Sequence, residues 1–184
     1  MVLFRLREFI LLRFQFNLNL HMIQKIAIVF YSLEGNTKFI AQTIQEHLKA
    51  DLIELKPVKE IDSSTDKKFM WGGKQAMMNE KPKLLLYEFD SSKYDIIFIG
   101  TPIWAWHMSP PINSFISEND LEGKKVVIFA SCGGSPRKAY TRIEKRFKKS
   151  EILGHQFFIE PLKNDKKASA KKIKEWVSSI IQSK

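Results

Sequence analysis

Three short stretches of this chain carry residue types suited to gripping a ligand, and each follows a hydrophobic run. The first is Ser32, Leu33, Glu34, Gly35, Asn36 and Thr37, with two hydroxyls and one glycine. Backbone N–H groups at the start of a helix converge on one point, and the helix dipole adds partial positive charge there. Such a loop suits a phosphate, with the hydroxyls as further donors. A phosphate loop that drives transfer needs G-x-x-x-x-G-K-[ST], and the lysine is missing. A dinucleotide fingerprint needs G-x-G-x-x-G, and Gly35 stands alone. The loop therefore suits a phosphate that is held and not transferred. Taken by itself, a polar helix cap explains the same residues equally well.

The second stretch runs Thr101, Pro102, Ile103, Trp104, Ala105, Trp106, His107. Large aromatics beside a ligand edge stack on planar rings. A tryptophan here also has a plain structural use, filling space under the following helix. One of the pair is expected to meet ligand and one to be structural, with Trp104, nearest the strand end, facing the ligand. The third stretch is Ser131, Cys132, Gly133 and Gly134. Paired glycines let a backbone approach a ligand closely, or form an ordinary turn before Pro136. His107, without an acid–base partner, reads as a surface histidine sooner than a proton donor. Cys132 reads as a small buried hydrophobe, and Glu34 as a spacer facing solvent. A phosphate loop, an aromatic wall and a glycine wall together describe a pocket for a flat, phosphorylated molecule.

The elements that must position these loops are legible from periodicity. Continuous apolar runs at "KIAIVFYS" (25–32), "DLIELK" (51–56), "YDIIFIG" (94–100), "KKVVIFAS" (124–131) and "EILGHQFFIE" (151–160) read as five strands, several of them buried on both faces. Helical stripes lie between and after them, at 36–50, 67–82, 109–119, 135–150 and 164–182. Gly72 and Gly73 are expected to disturb the second helix and Pro82 to stop it. Ser109 is expected as an N-cap, with Pro110 at the first helical position. Strict alternation of strand and helix argues an α/β fold: a doubly wound, five-stranded parallel sheet with helices on both faces, three layers in all. In such sheets ligands bind beyond the carboxyl ends of the strands. The loops after the first, third and fourth strands are the three stretches above.

Composition narrows the class. The 184 residues suit one domain with a full core. Cys132 is the sole cysteine, so there is no internal disulfide and no thiolate metal cluster, which fits a reducing cytoplasm. The net charge is +10, spread mainly over amphipathic stretches of the C-terminal third, and reads as solvated helix faces. No nucleic-acid signature accompanies it, and nucleic acid is not an expected partner. Residues 1–21 are apolar but broken by Arg5, Arg7, Glu8 and Arg13, too interrupted for stable membrane insertion. They read as an extension, with the domain spanning 22–184 and Met22 as the favoured start.

With these residues in view, the chain resembles the flavodoxin family. "FYSLEGNTKFIA" is similar to that family's phosphate loop, "GTPIWAWHMSPPINSFI" to the P-I-W loop of small flavodoxin-like proteins, and "ASCGGSP" to the third flavin loop. The resemblance covers about residues 25–182 and looks like a short-chain member. It implies a sheet order of 2-1-3-4-5 and FMN as cofactor. The phosphate would be wrapped by Ser32 to Thr37 and the ring set against Pro102, Ile103, Trp104 and Ala105, with Thr101 and Trp106 flanking and Ser131 to Gly134 opposite. Unlike acidic electron carriers of that family, this chain is basic, and its third loop lacks an aromatic residue. The roles implied are electron transfer with redox partner proteins, or an oxidoreductase using NAD(P)H to reduce a quinone or similar small acceptor. A flavin-free regulatory domain of the same fold is the third.

Overall fold

The computed structural model describes residues 24–61, 67–136 and 138–182. The expected extension over residues 1–21 and the start at Met22 lie outside them. Five strands, β1 (Ile26–Phe30), β2 (Asp51–Glu54), β3 (Ile96–Trp104), β5 (Lys125–Cys132) and β6 (Glu151–Ile159), form one parallel sheet in the order β2-β1-β3-β5-β6. This is the expected five-stranded order. The shift in numbering comes from β4 (His107–Met108), a two-residue strand that pairs antiparallel with the end of β3.

Alternation along the strands sorts two cores. Ile26, Ile28 and Phe30 of β1, with Phe98 and Phe129, face α1 (Asn36–Leu48) and α5 (Lys166–Gln182) through Ile40, Ile44, Ile173 and Val177. Val29, Tyr31, Ile97, Ile99 and Ile128 face the opposite way, onto Ile112 and Phe115 of α3 (Pro110–Glu118) and Ile143 of α4 (Ala139–Glu144). Both faces of the central strands are buried, which is why they read as unbroken apolar runs.

Three local expectations change. The helix α2 (Lys67–Met77) runs straight through Gly72 and Gly73 and stops well before Pro82. Asn79 takes the left-handed conformation (φ 51°), its N–H donates to Ala76 O, and the Glu80 N–H donates to Gln75 O. That is a Schellman stop, and Pro82 is not needed for it. The helix expected over 135–150 shrinks to α4. Beyond it the Arg146, Phe147 and Ser150 N–H groups reach back only three residues, a tighter winding that seats Phe147 in the core. Ser109 does precede α3, with Pro110 next, but its hydroxyl does not cap the helix. It hydrogen-bonds Thr101 Oγ1 at 3.1 Å instead, because the β3–β4 turn brings Thr101 within reach.

Candidate functional site

The chain leaves β1, builds β2 on one side and returns to build β3 on the other. A crevice opens where the two directions part, at the carboxyl ends of the strands. A cavity of about 510 Å³ lies there. That volume is within the range of small-molecule sites. Its wall takes Ser32, Leu33, Glu34, Asn36 and Thr37 from the first loop, Pro102, Ile103, Trp104 and Ala105 from the second, and Ser131, Cys132 and Gly133 from the third.

The first loop is shaped by Gly35, whose φ of 86° suits glycine and strains other residues. Its carbonyl accepts from the Phe39 N–H at 2.9 Å, the first bond of α1. The amide groups that open α1 therefore turn toward the cavity end formed by this loop. Thr37 is buried, and its Oγ1 shares a 2.8 Å hydrogen bond with Ser131 Oγ, tying the first loop to the third. Ser32 Oγ is buried and has no hydrogen-bond partner. Ser32 is also a residue of the cavity wall, and a buried polar group without a partner is an exception that calls for an explanation.

The second loop is a strained hairpin. Ala105 (φ 47°) and Trp106 (φ 62°) form a two-residue turn between the paired Trp104 and His107. Both central residues are left-handed, as in a type I′ turn, without the asparagine or glycine that usually sits there. Three contacts hold it. His107 Nδ1 hydrogen-bonds Ala105 O at 2.7 Å, Arg142 Nη1 donates to Trp106 O at 3.4 Å, and the Ser109 N–H donates to Thr101 Oγ1 at 3.0 Å. Held strain of this kind gathers at ligand sites. Trp104 stands edge-on to Tyr31, ring centroids 5.7 Å apart. Behind it lies α2, where a Cβ on Gly72 would come within 3.1 Å of the indole and one on Gly73 within 3.6 Å of Ala105 Cβ. The two glycines, which sequence alone reads as a defect in a helix, are the face on which that helix seats the second loop.

Four of the expected site residues do not line the cavity. Gly35 bends the loop at φ 86° and is not among the wall residues. Thr101 is wholly buried and spends its hydroxyl on the Pro102 carbonyl and Ser109. Trp106 sits at the turn tip, 44% exposed, so Trp104 is the indole in the cavity wall. Gly134 lies in the turn beyond Gly133. His107 lines no part of the cavity wall either, its Nδ1 being engaged with the turn.

Three residues of the wall escaped sequence reasoning: Glu160, Leu162 and Lys163, from the segment after β6. No motif marks them. The rule that found the other loops would have found this one, since β6 is parallel to its neighbours and ends at the same edge.

Electrostatics separate the cavity's floor from its rim. Burial pushes the Cys132 thiol pKa up, against a hydrogen bond from the Gly134 N–H, so the thiol stays protonated and unreactive. Beneath Trp104, Tyr31 donates to Glu60 Oε1 at 2.7 Å, and burial, then that carboxylate, hold its pKa far above the ordinary 10.0. The folded pKa lies above the unfolded one. The stabilisation from this group is therefore complete below about pH 10 and lost as pH rises toward the folded value. Urea unfolding is expected to show stability falling as pH rises above about 10, with a shallower fall in Tyr31→Phe. An identical slope in the two proteins would remove Tyr31 from the account. Among the described residues no cluster of histidine, cysteine or carboxylates is arranged to hold a metal ion, and no helix is long and apolar enough to cross a membrane.

A doubly wound parallel sheet with a cavity at its switch point, walled by the loops after β1, β3 and β5, defines a class of α/β proteins that place their ligand sites at the carboxyl ends of the strands. Comparison with known proteins narrows it. A family model described as flavodoxin matches residues 25–180, and the chain belongs to the flavodoxin family. Over 136 residues it is 28% identical to the flavodoxin-like domain-containing protein BilS of Clostridioides difficile (strain CD3), covering 71% of this chain. The chain spans 62% of that relative's length. Among solved structures, a candidate flavoprotein from Bacteroides eggerthii is 25% identical with a TM-score of 0.67, covering 86% of this chain and 98% of that one. A flavoprotein from Lactobacillus acidophilus, solved in complex with FMN, is 25% identical with a TM-score of 0.63, covering 78% of this chain and 97% of that one.

Proposed function

We propose that the protein binds FMN in this cavity and serves as an electron-transfer flavoprotein. The observation that carries this reading is Ser32. Its buried hydroxyl lacks a partner at the cavity end where α1 begins, and a phosphate supplies the acceptor it lacks. The FMN held by the Lactobacillus acidophilus relative agrees with it.

Bound there, FMN supplies one- and two-electron redox chemistry. The chain's own residues bind, orient and shield. Ser32, Thr37 and the first amides of α1 would donate to the phosphate. Trp104, Ile103 and Pro102 would wall the ring and keep water from it, with Cys132 and Gly133 opposite. The strained Ala105–Trp106 turn would hold backbone groups rigidly at the ring edge.

Electron transfer is favoured over substrate chemistry by what the wall lacks. Among the described residues that line it there is no histidine, and its thiol is held protonated. The carboxylates and the ammonium stand at the phosphate end. A reaction that moved protons to and from a bound substrate would want such a group beside the ring. The partners would then be redox proteins that give electrons to the bound flavin and take them from it.

The test is an absorbance spectrum of the purified protein with identification of the released cofactor. Wild type is expected to be yellow and to release FMN. Thr37→Val is expected to bind FMN about tenfold more weakly, the scale of one lost buried hydrogen bond to a charged group. A colourless wild type that does not take up added FMN would sink the reading. Rapid flavin reduction by NADPH alone, with turnover of a quinone, would replace electron carriage by an oxidoreductase.

A further inference from the structure

The segment after β6 is docked on the phosphate loop. The Leu162 N–H donates to Asn36 Oδ1 at 3.2 Å, and Leu162 Cδ1 would lie 3.3 Å from a Cβ on Gly35. The segment is tied to the third loop as well, since the Glu160 N–H donates to Cys132 O at 3.1 Å. These contacts place two charged residues of the cavity wall at its phosphate end. Lys163 Nζ pairs with Glu160 Oε1, and Glu34 of the first loop is the second carboxylate whose charge acts on it.

Lys163 is the one cation among the described residues that line the cavity, beside two carboxylates. The remaining donors at that end are neutral hydroxyls and amides. An arriving phosphate dianion would therefore meet two carboxylates at the rim and one ammonium to offset them, and the offset is greatest with the ammonium turned toward it. Lysine can make that turn, being a point charge with three donors on a flexible four-carbon stem. Its side chain is 71% exposed and Glu160's is 34%, so the lysine is the freer partner of the pair.

We propose that Lys163 is a phosphate clamp: on ligand binding its ammonium exchanges Glu160 for the terminal phosphate, and this exchange makes the site select a flavin that carries a phosphate. The inference rests on the FMN reading above. Glu160 parks the ammonium at the rim and opposes the exchange, so the pair sets how strongly the phosphate is preferred. An exposed ion pair with no such role contributes little to anything. The two cases therefore differ in what a substitution does to ligand choice.

The experiment titrates apoprotein with FMN and, separately, with riboflavin, for wild type, Lys163→Met, Lys163→Arg and Glu160→Gln. Lys163→Met is expected to weaken FMN binding about tenfold and riboflavin binding less than about twofold. Lys163→Arg should keep most of the preference, and Glu160→Gln should tighten FMN about threefold and leave riboflavin unchanged. Equal shifts for both ligands in Lys163→Met, or no shift in either, would overturn the clamp while wild-type FMN binding stood. A wild type that binds neither ligand, or favours riboflavin, would overturn the FMN reading and the clamp with it.

Discussion

Replacing Gly100 with valine is expected to leave the chain unable to fold. Gly100 sits in β3, paired on one side with Phe30 of β1 and on the other with Phe129 of β5. Residues in register share a face of the sheet, and the two phenylalanines, both fully buried, close over the glycine between them. A Cβ at Gly100 would stand 2.2 Å from Phe129 Cζ, 2.4 Å from Phe129 Cε2 and 2.8 Å from Phe30 Cβ. One of these contacts is with a Cβ, which moves only with the backbone of β1. Overpacking a tight core costs about 1–3 kcal/mol and sometimes more. A clash on two sides in the central strand belongs at the upper end even for alanine, so Gly100→Ala should lose about 3 kcal/mol. A domain with only about 5–15 kcal/mol in hand would not withstand the two further methyls of valine. The measurement is the urea midpoint of Gly100→Ala against wild type, with the yield of soluble Gly100→Val beside it. A midpoint within error of wild type would show that Phe129 has a second rotamer to occupy.

The largest expected effect on the site comes from Gly35→Val, which should weaken FMN binding about 100-fold while the fold survives. At φ 86° a β-branched residue is strained, by about 1–3 kcal/mol. The added Cβ would also press Leu162 Cδ1 at 3.3 Å, and the valine methyls reach further. The loop can relieve both only by shifting, and Ser32, Asn36 and Thr37 move with it. Because the site depends on donors converging on one point, a shift too small to unfold α1 is enough to disperse them. Circular dichroism should show native helix content, and a flavin-fluorescence titration should show the loss of affinity. Unchanged affinity in a folded Gly35→Val would mean that the phosphate loop does not depend on its left-handed residue.

The two substitutions test different readings of a glycine. Gly35 could be singled out from sequence, because a lone glycine between a strand and a helix calls for an unusual backbone angle. Gly100 could not. It looks like the end of a strand, and only the neighbouring strands show that two aromatic rings occupy its side-chain space. Gly72 is the same kind of case, its meaning set by an indole 32 positions further along the chain.

Much of the cavity was legible before the fold. Five apolar runs alternating with five amphipathic stretches leave few arrangements other than a parallel sheet between helices. Once the sheet is parallel, every loop that follows a strand lies at one edge. The first loop's hydroxyls and glycine, the second loop's tryptophan and the third loop's small residues then fall around one crevice. This works because strand and helix periodicities are properties of neighbouring residues, and because the handedness of the crossovers leaves little choice in how they stack.

Tertiary structure decided the rest. The Ala105–Trp106 turn has no local sequence reason to be left-handed, and it stands because Thr101, His107 and Arg142 hold it from outside. The same is true of Lys163, an ordinary residue in a run of lysines until the segment after β6 is laid across Asn36. The sequence by itself determined the five strands of the parallel sheet, the helical segments between them and the three loops that meet at its edge. The packed structure alone decided which side chains those loops turn inward, because that choice is made by contacts between residues far apart in the chain, and local preference opposes some of them.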